Sequence, residues 1–405
     1  GQRIAISVCD ITRPQPRPQM LKAIFEELAF VDPRDVTILI ATGTHRTNTP
    51  AELDRMLGAH LAVGPGLVKA ADRAASVGAM GLQIFTGNPT GWARRAELPK
   101  ELPAFRARMK EHGFGPLAVH AAYLANLAGP RPEIREKSIA MLQHELRVAP
   151  EYGASFVNVH IGSHLGTGVD AGVTRVAEAV DQILDGVPKR SSDALLVLEN
   201  SAGGGNGIGE SIEELIAIHE AAAKRRVDMS RIGYCLDSAH LWGAGVAMSD
   251  IDELDRVVDE FDRRIGLEKL VMIHFNDSKA AHGSKLDRHQ HIGGGEVGAR
   301  GLAALISHPK LAHAAYYLET PGMEEGWDRL NVERTIQLAQ GNLKLKPLPA
   351  EAPDATTPKK SATRAKSSAG AKPSRATARA TARASEGRRR RAGSATPKRG
   401  ARRRP

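Results

Sequence analysis

The chain has 405 residues, 41% of them hydrophobic and 25% charged, enough for one large domain with attachments or for two or three domains of ordinary size. Aromatic residues make up only 4%, which argues against a binding surface of stacked rings, and two cysteines, Cys9 and Cys235, exclude a disulfide framework and a thiolate zinc site. The net charge of +10 is unevenly placed: residues 351–405 carry 17 Lys and Arg against three acids, whereas residues 1–350 carry 39 basic against 43 acidic residues.

Few cysteines, no signal peptide and no apolar run long enough for a bilayer lead to the expectation of a cytoplasmic protein with no membrane partner. In chain order, residues 1–56 read as a small α/β extension. It comprises a strand at Arg3–Val8, a loop at Cys9–Pro18, a helix at Gln19–Ala29, a strand at Val36–Ala41 and a capped helix from Thr49. Residues 57–343 then alternate short apolar runs with amphipathic stretches. Strands are predicted at Leu57–Leu61, Gly81–Phe85, Leu117–His120, Phe156–His160, Leu195–Glu199, Ile232–Asp237, Leu270–His274 and Tyr316–Glu319. Helical patterns between them include Leu67–Ser76, Glu133–Tyr152 and Asp250–Arg264.

Eight strands in this rhythm predict an α/β fold, a (β/α)8 TIM barrel, with a doubly wound open sheet as the structural alternative. No glycine fingerprint follows the first strand, which weakens a dinucleotide reading, and Gly203–Gly207 fits a flexible loop better than a phosphate cradle. Residues 344–405 form the tail, which from 351 on is built from Ala, Ser, Thr, Pro, Lys and Arg. Such a segment cannot bury enough surface to order itself and reads as disordered. Its clusters Arg388–Arg391 and Arg402–Arg404 suit a nucleic-acid backbone, without base specificity.

The strand ends carry the chemistry. Strands three to eight finish in His120, His160, Glu199, Asp237, His274 and Glu319. In a barrel these positions converge on one mouth. One such residue is ordinarily a cap or a satisfied polar group, but six in succession would repel or lose solvation without multivalent cations. His240, three residues after Asp237, and Asp287 and His289 in Asp287-Arg288-His289 extend the set. Imidazole with carboxylate and no thiolate suits zinc, with manganese or iron open. Nine ligands exceed one tetrahedral site and approach three.

These residues resemble the endonuclease IV family of apurinic/apyrimidinic endonucleases, over about Leu57 to Gly341. The most specific stretch is Ile273-His274-Phe275-Asn276-Asp277-Ser278-Lys279, continuing through Gly283 to Asp287-Arg288-His289. Gly58-Ala59-His60-Leu61, the run His120–Leu127 and Cys235–His240 also match, with Ala125 and Ser238-Ala239 as variations beside the ligand positions.

The resemblance implies three zinc ions: His120 and His160 on the first, Glu199 bridging to the second, Asp237, His274 and Glu319 completing the second, and His240, Asp287 and His289 holding the third. It implies in-line attack of hydroxide on phosphorus, with Glu199 central to catalysis. The bond cut lies 5′ of an abasic site in double-stranded DNA and leaves a 3′-hydroxyl and a 5′-deoxyribose phosphate. It further implies a monomer in which Tyr123 and Leu124 wedge into DNA, with His60 standing behind the ligands. His164 and His291 are left open to loop or core roles. One departure stands out: Thr90 occupies the place where the family commonly has an inserting Arg.

Asp10-Ile11-Thr12-Arg13-Pro14 and Ala41-Thr42-Gly43-Thr44-His45-Arg46 resemble the amino-terminal domain of the lactate racemase family, whose remaining parts are absent; a cap or linker is the preferred reading. Two other functions compete with the nuclease. One is a metal-dependent sugar isomerase or epimerase on the same barrel, which has no evident use for His240, Asp287 and His289. The other is a non-catalytic DNA-binding scaffold, against which the complete ligand set argues.

Overall fold

The computed structural model describes residues 4–9, 36–41, 56–190, 193–322 and 326–351. The expected loop and helices before Met56, the racemase-like motifs at residues 10–14 and 42–46, and the basic tail from Ala352 lie outside the described residues. The first two strands, β1 (Ile4–Cys9) and β2 (Val36–Ala41), pair in parallel.

Eight further strands close a parallel barrel. They are β3 (Met56–His60), β4 (Gly81–Ile84), β5 (Leu117–His120), β6 (Ala154–His160), β7 (Leu195–Glu199), β8 (Ile232–Asp237), β9 (Leu270–His274) and, after a small hairpin, β12 (Ala315–Leu318). The hairpin is β10 (Asp277–Ser278) with β11 (His289–Gln290), antiparallel. β12 pairs with both β9 and β3, which closes the ring and excludes the open-sheet alternative.

Strands expected from the sequence recur within two residues of their bounds. One shift matters: the last strand stops at Leu318, so Glu319 lies one residue beyond it. There the Glu319 N–H donates not to a neighbouring strand but to Asn276 Oδ1, at 2.8 Å.

The helices between the strands are built by ordinary local rules. The helix Ile251–Arg264 starts at Asp250, whose carboxylate accepts from Asp252 N at 3.1 Å and Glu253 N at 3.4 Å. Acids fill its first turn and Arg263 and Arg264 its last, which suits the helix dipole. Leu254, Val257, Val258 and Phe261 form its buried stripe. The helix Pro132–Tyr152 places Pro132 where no N–H is needed and ends at Gly153, whose φ of 76° favours glycine.

Strand alternation does the rest. Ala118, Val197, Cys235, Met272 and Tyr317 form one buried cluster. Each lies two residues before one of His120, Glu199, Asp237, His274 and Glu319. Successive side chains on a strand point to opposite faces, so the residues two further on share that face. Close packing here demands a small partner: a Cβ on Gly58 would come within 2.6 Å of the Tyr317 ring.

The chain stays on the barrel past the expected start of the tail at 344. Leu345 packs against the core, and the Lys346 carbonyl accepts from Arg334 Nη1 at 2.6 Å.

Candidate metal centre

At the carboxyl ends of the strands the parity argument brings the expected residues together. His160 pairs with Glu199, and Asp237 with His274, in adjacent positions of neighbouring strands. Three groups have ligand atoms within 4.8 Å of one another: His120, His160 and Glu199; Glu199, Asp237, His274 and Glu319; and Asp237, His240 and His289. Asp287 stands against the third, its Oδ2 3.2 Å from His240 Nε2 and its Oδ1 3.2 Å from His289 Nε2.

Glu199 is fully buried between the first two groups. Its Oε2 lies 3.6 Å from His120 Nε2 and 3.4 Å from His160 Nε2, while its Oε1 lies 3.0 Å from His274 Nδ1. Each oxygen thus faces a different set of imidazoles. Asp237, expected in the second group alone, belongs to the second and the third.

Hydrogen bonds from the far ring nitrogens select which nitrogen is offered. His120 Nδ1 donates to the Ala121 carbonyl at 2.7 Å, His240 Nδ1 to the Asn200 carbonyl at 2.9 Å and His289 Nδ1 to the Glu319 carbonyl at 2.9 Å. In all three rings Nε2 is therefore the nitrogen turned toward the centre, free to ligate once it carries no proton. His120 Nε2 and His289 Nε2 are buried with no hydrogen-bond partner. In His274 the order is reversed: Nε2 donates to Gln83 Oε1 at 3.0 Å, and Nδ1 faces Glu199. Orphaned acceptors among carboxylates fit a set of divalent cations.

The electrostatics agree. Burial alone would raise the Glu199 carboxyl, but the charges of His274 and His160 beside it hold it well below the usual range. Burial likewise opposes charge on His240 and His289, yet Asp237 and Asp287 facing them push the imidazoles up to about 10 and about 9. Positive charge is therefore favoured at the third group. Cys235 joins no ligand group; burial pushes its thiol up to about 12.

Three buried amides were not singled out by sequence. Gln83 Nε2 donates to Glu319 Oε1 at 2.6 Å, Asn158 Nδ2 to Glu199 Oε2 at 2.5 Å and Asn276 Nδ2 to Asp237 Oδ2 at 2.6 Å. They orient the carboxylates. Asn158 carries a signal, an amide two residues before His160 in Val157-Asn158-Val159-His160, and Asn276 stands two residues after His274; Gln83 carries none. His60, buried, sits with Nδ1 2.9 Å from Glu319 Oε1.

His164 and His291 take supporting places: His164 Nδ1 accepts from Gly168 N at 3.0 Å, and His291 stacks on Trp327 at 4.1 Å. Gly203–Gly207 is a short turn stitched to the loop after β6, where His164 N donates to the Asn206 carbonyl at 3.0 Å.

At the rim, Tyr123 is 53% exposed, its ring centred 5.3 Å from Phe85, 5.6 Å from His120 and 5.9 Å from His160. Leu124 is half-buried. Thr90 is exposed, but its backbone N–H and its hydroxyl both donate to Asn88 Oδ1, each at 2.9 Å.

An eight-stranded α/β barrel with clustered imidazole and carboxylate at the carboxyl ends of its strands defines a barrel enzyme. The family model of the xylose isomerase-like TIM barrel matches residues 71–341. "Probable endonuclease 4" of Halothermothrix orenii is 39% identical over 265 residues, 65% of this chain and 93% of that protein. "Probable endonuclease 4" of Geobacter sp. strain M21 is 35% identical over 287 residues, 71% of this chain and 99% of that protein. The crystal structure of endonuclease IV from Thermus thermophilus superposes with a TM-score of 0.61 at 33% identity, covering 71% of this chain and 99% of that one. The chain belongs to the endonuclease 4 family within the xylose isomerase-like TIM barrels, and is a deoxyribonuclease IV-type enzyme.

A D-tagatose 3-epimerase-like protein shares the fold, with a TM-score of 0.51 at 16% identity. The lactate racemase N-terminal domain model matches residues 1–81, past the 1–56 assigned from sequence.

Proposed function

We propose that this protein is a zinc-dependent endonuclease that hydrolyses the phosphodiester 5′ to an abasic site in double-stranded DNA, leaving a 3′-hydroxyl and a 5′-deoxyribose phosphate. The observation that supports it best is the linkage of three ligand groups through Glu199 and Asp237. His120, His160 and Glu199 would hold the first ion, Glu199, Asp237, His274 and Glu319 the second, and His240, Asp287 and His289 the third, with Asp237 facing it. Zinc at these positions supplies Lewis acidity toward phosphate and lowers the pKa of water.

The chain's own residues do the rest. Glu199, held ionised by the surrounding imidazoles, keeps the first two groups in register. Gln83, Asn158 and Asn276 fix the carboxylates so that they need not reorganise as charge develops on phosphorus. Tyr123, exposed beside His120 and His160, replaces lost stacking where a base is missing, with Leu124 next to it in the same loop. A sugar isomerase would use the first two groups and leave His240, Asp287 and His289 idle.

The protein acts as a cytoplasmic monomer with no membrane partner; among the described residues no helix is long and apolar enough to cross a membrane. The test is an end-labelled duplex carrying one abasic site, incubated with protein before and after chelation. Incision 5′ to the lesion that is lost with chelator and restored by zinc is expected. Intact duplex under all conditions would overturn the reading.

A further inference from the structure

Outside the ligand groups, one buried ion pair joins a helix to a rim loop. Arg94 Nε lies 2.8 Å from Glu145 Oε1, with side chains 10% and 2% exposed. Glu145 comes from the helix Pro132–Tyr152, and Arg94 lies midway in the loop between β4 and the helix Leu102–Glu111. Thr86, at the start of that loop, donates its hydroxyl to Glu145 Oε2 at 2.5 Å. Arg94 Nη1 reaches back to the Gly91 carbonyl at 2.9 Å and the Ala93 carbonyl at 3.0 Å. One carboxylate thus clamps both ends of the segment from Thr86 to Arg94.

The clamp passes outward. Inside the segment, Gly91 N donates to the Asn88 carbonyl at 3.2 Å, and Asn88 Oδ1 takes both donors of Thr90. The Pro89 carbonyl then accepts from Tyr123 N at 2.9 Å. A path of contacts therefore runs from Glu145, under the loop, to the half-exposed ring beside His120 and His160: Thr86 reaches Glu145 by a directional hydrogen bond, whereas Arg94 reaches it by charge, its Nε making no hydrogen bond. A buried pair is a poor source of net stability, because desolvation offsets most of its attraction; what it supplies is a fixed geometry.

We propose that Glu145, through Arg94 and Thr86, is a positioning residue for lesion recognition: it holds Pro89 and Tyr123 as a preformed ledge against which a duplex lacking a base is seated. This rests on the endonuclease reading. A ledge ordered in advance spares the ordering cost at the moment of binding. Disturbing it should therefore weaken binding of abasic DNA and leave the chemical step alone.

The experiment compares wild type, Glu145→Gln and Thr86→Val. It measures Kd for abasic and intact duplexes, kcat at saturating abasic duplex, bound metal, and the rate of tryptic cleavage after Arg95 followed by mass spectrometry. Glu145→Gln should raise Kd for abasic duplex about tenfold, with kcat within about twofold, as expected when preorganisation alone is lost. Bound metal and affinity for intact duplex should not move, and cleavage after Arg95 should accelerate. Thr86→Val, which buries no unpaired charge, should shift the same quantities the same way by about two- to threefold, and carries the test should Glu145→Gln not fold. Unchanged Kd, or a loss seen in kcat or metal content instead, would overturn the proposal. A wild type with no preference for abasic duplex would remove the endonuclease reading, while faster cleavage after Arg95 would still report the clamp.

Discussion

Asp237 Oδ2 lies 3.5 Å from His289 Nε2, so the carboxylate at the end of β8 reaches the hairpin that follows β9. The same oxygen accepts from Asn276 at 2.6 Å and lies 3.9 Å from His274 Nδ1. Asp287, by contrast, pairs with His240 and His289, and is 48% exposed. The two aspartates should therefore differ as ligands. Asp287→Asn should lower zinc content from about three ions to about two, and Asp237→Asn to about one. Elemental analysis of gently purified variants decides it. Equal losses would mean that Asp237 serves one ion.

Gln83 offers a test of the supporting amides. Its carbonyl accepts from His274 Nε2 and its amide donates to Glu319, each within 3.0 Å. Gln83→Met keeps the length and removes both bonds. Metal affinity, measured by competition with a chelator of known strength, should fall about 10- to 100-fold. Unaltered affinity would make Gln83 a packing residue.

These two residues also show what the sequence made legible. His120, His160, Glu199, Asp237 and His274 could be read because each ends an apolar run, and parity on a strand sends them to one face. Glu319 was placed at a strand end and lies one residue past it, since the Asn276 side-chain carbonyl rather than a strand neighbour takes its N–H. Gln83 gave no such signal. Its partner His274 is 191 residues away, and a single amide in Gly81-Leu82-Gln83-Ile84 looks like any buried polar group. The Glu145 clamp was hidden for the same reason: Arg94 and Glu145 sit on separate elements, and only the packing of the neighbouring β4 and β5 units brings them together.

Asp328 gives a pH dependence away from the metal groups. It is buried and paired with Arg73 at 2.8 Å, yet burial outweighs that pairing and pushes its carboxyl up to about 6. The folded state thus holds a proton that the unfolded state sheds near pH 4. The associated stability is full below that pH and is lost as pH rises through about 6. Relative to Asp328→Asn, the wild type should lose about 2 kcal/mol between pH 4.5 and pH 7.5. Denaturant midpoints of both proteins across that range check it, and a constant difference would contradict the shift.

The basic tail should act on DNA through charge alone. Removing residues 351–405 deletes 17 Lys and Arg and three acids. Affinity should fall and the slope of log Kd against log salt should flatten, while turnover at saturating substrate holds. Binding titrations of both lengths over a salt series measure the slope. The same slope for both would remove the tail as a DNA arm.

Thr90 is where substrate handling departs from the expected pattern. Its hydroxyl is turned onto Asn88 and its loop is clamped from below by Arg94 and Glu145, so nothing long projects from this position. Tyr123 on the neighbouring loop is then the main ring available to a strand missing a base. Bending a duplex at a lesion opens a gap, and inserted side chains restore part of the lost stacking. Thr90→Arg gives up the hydroxyl contact but leaves the backbone N–H bond to Asn88, so the loop should keep its shape while gaining a planar, charged group at an exposed site. Binding to abasic duplex should tighten by about 1 kcal/mol, the lower end of what one stacking contact provides. Intact duplex should gain less, because only the general charge attraction acts there. Tyr123→Ala should weaken abasic binding by a similar amount. The measurement is a titration of each variant on both duplexes at one fixed salt concentration. Equal gains on the two duplexes would show that an arginine here works only as a charge, and that recognition of the missing base rests on other residues.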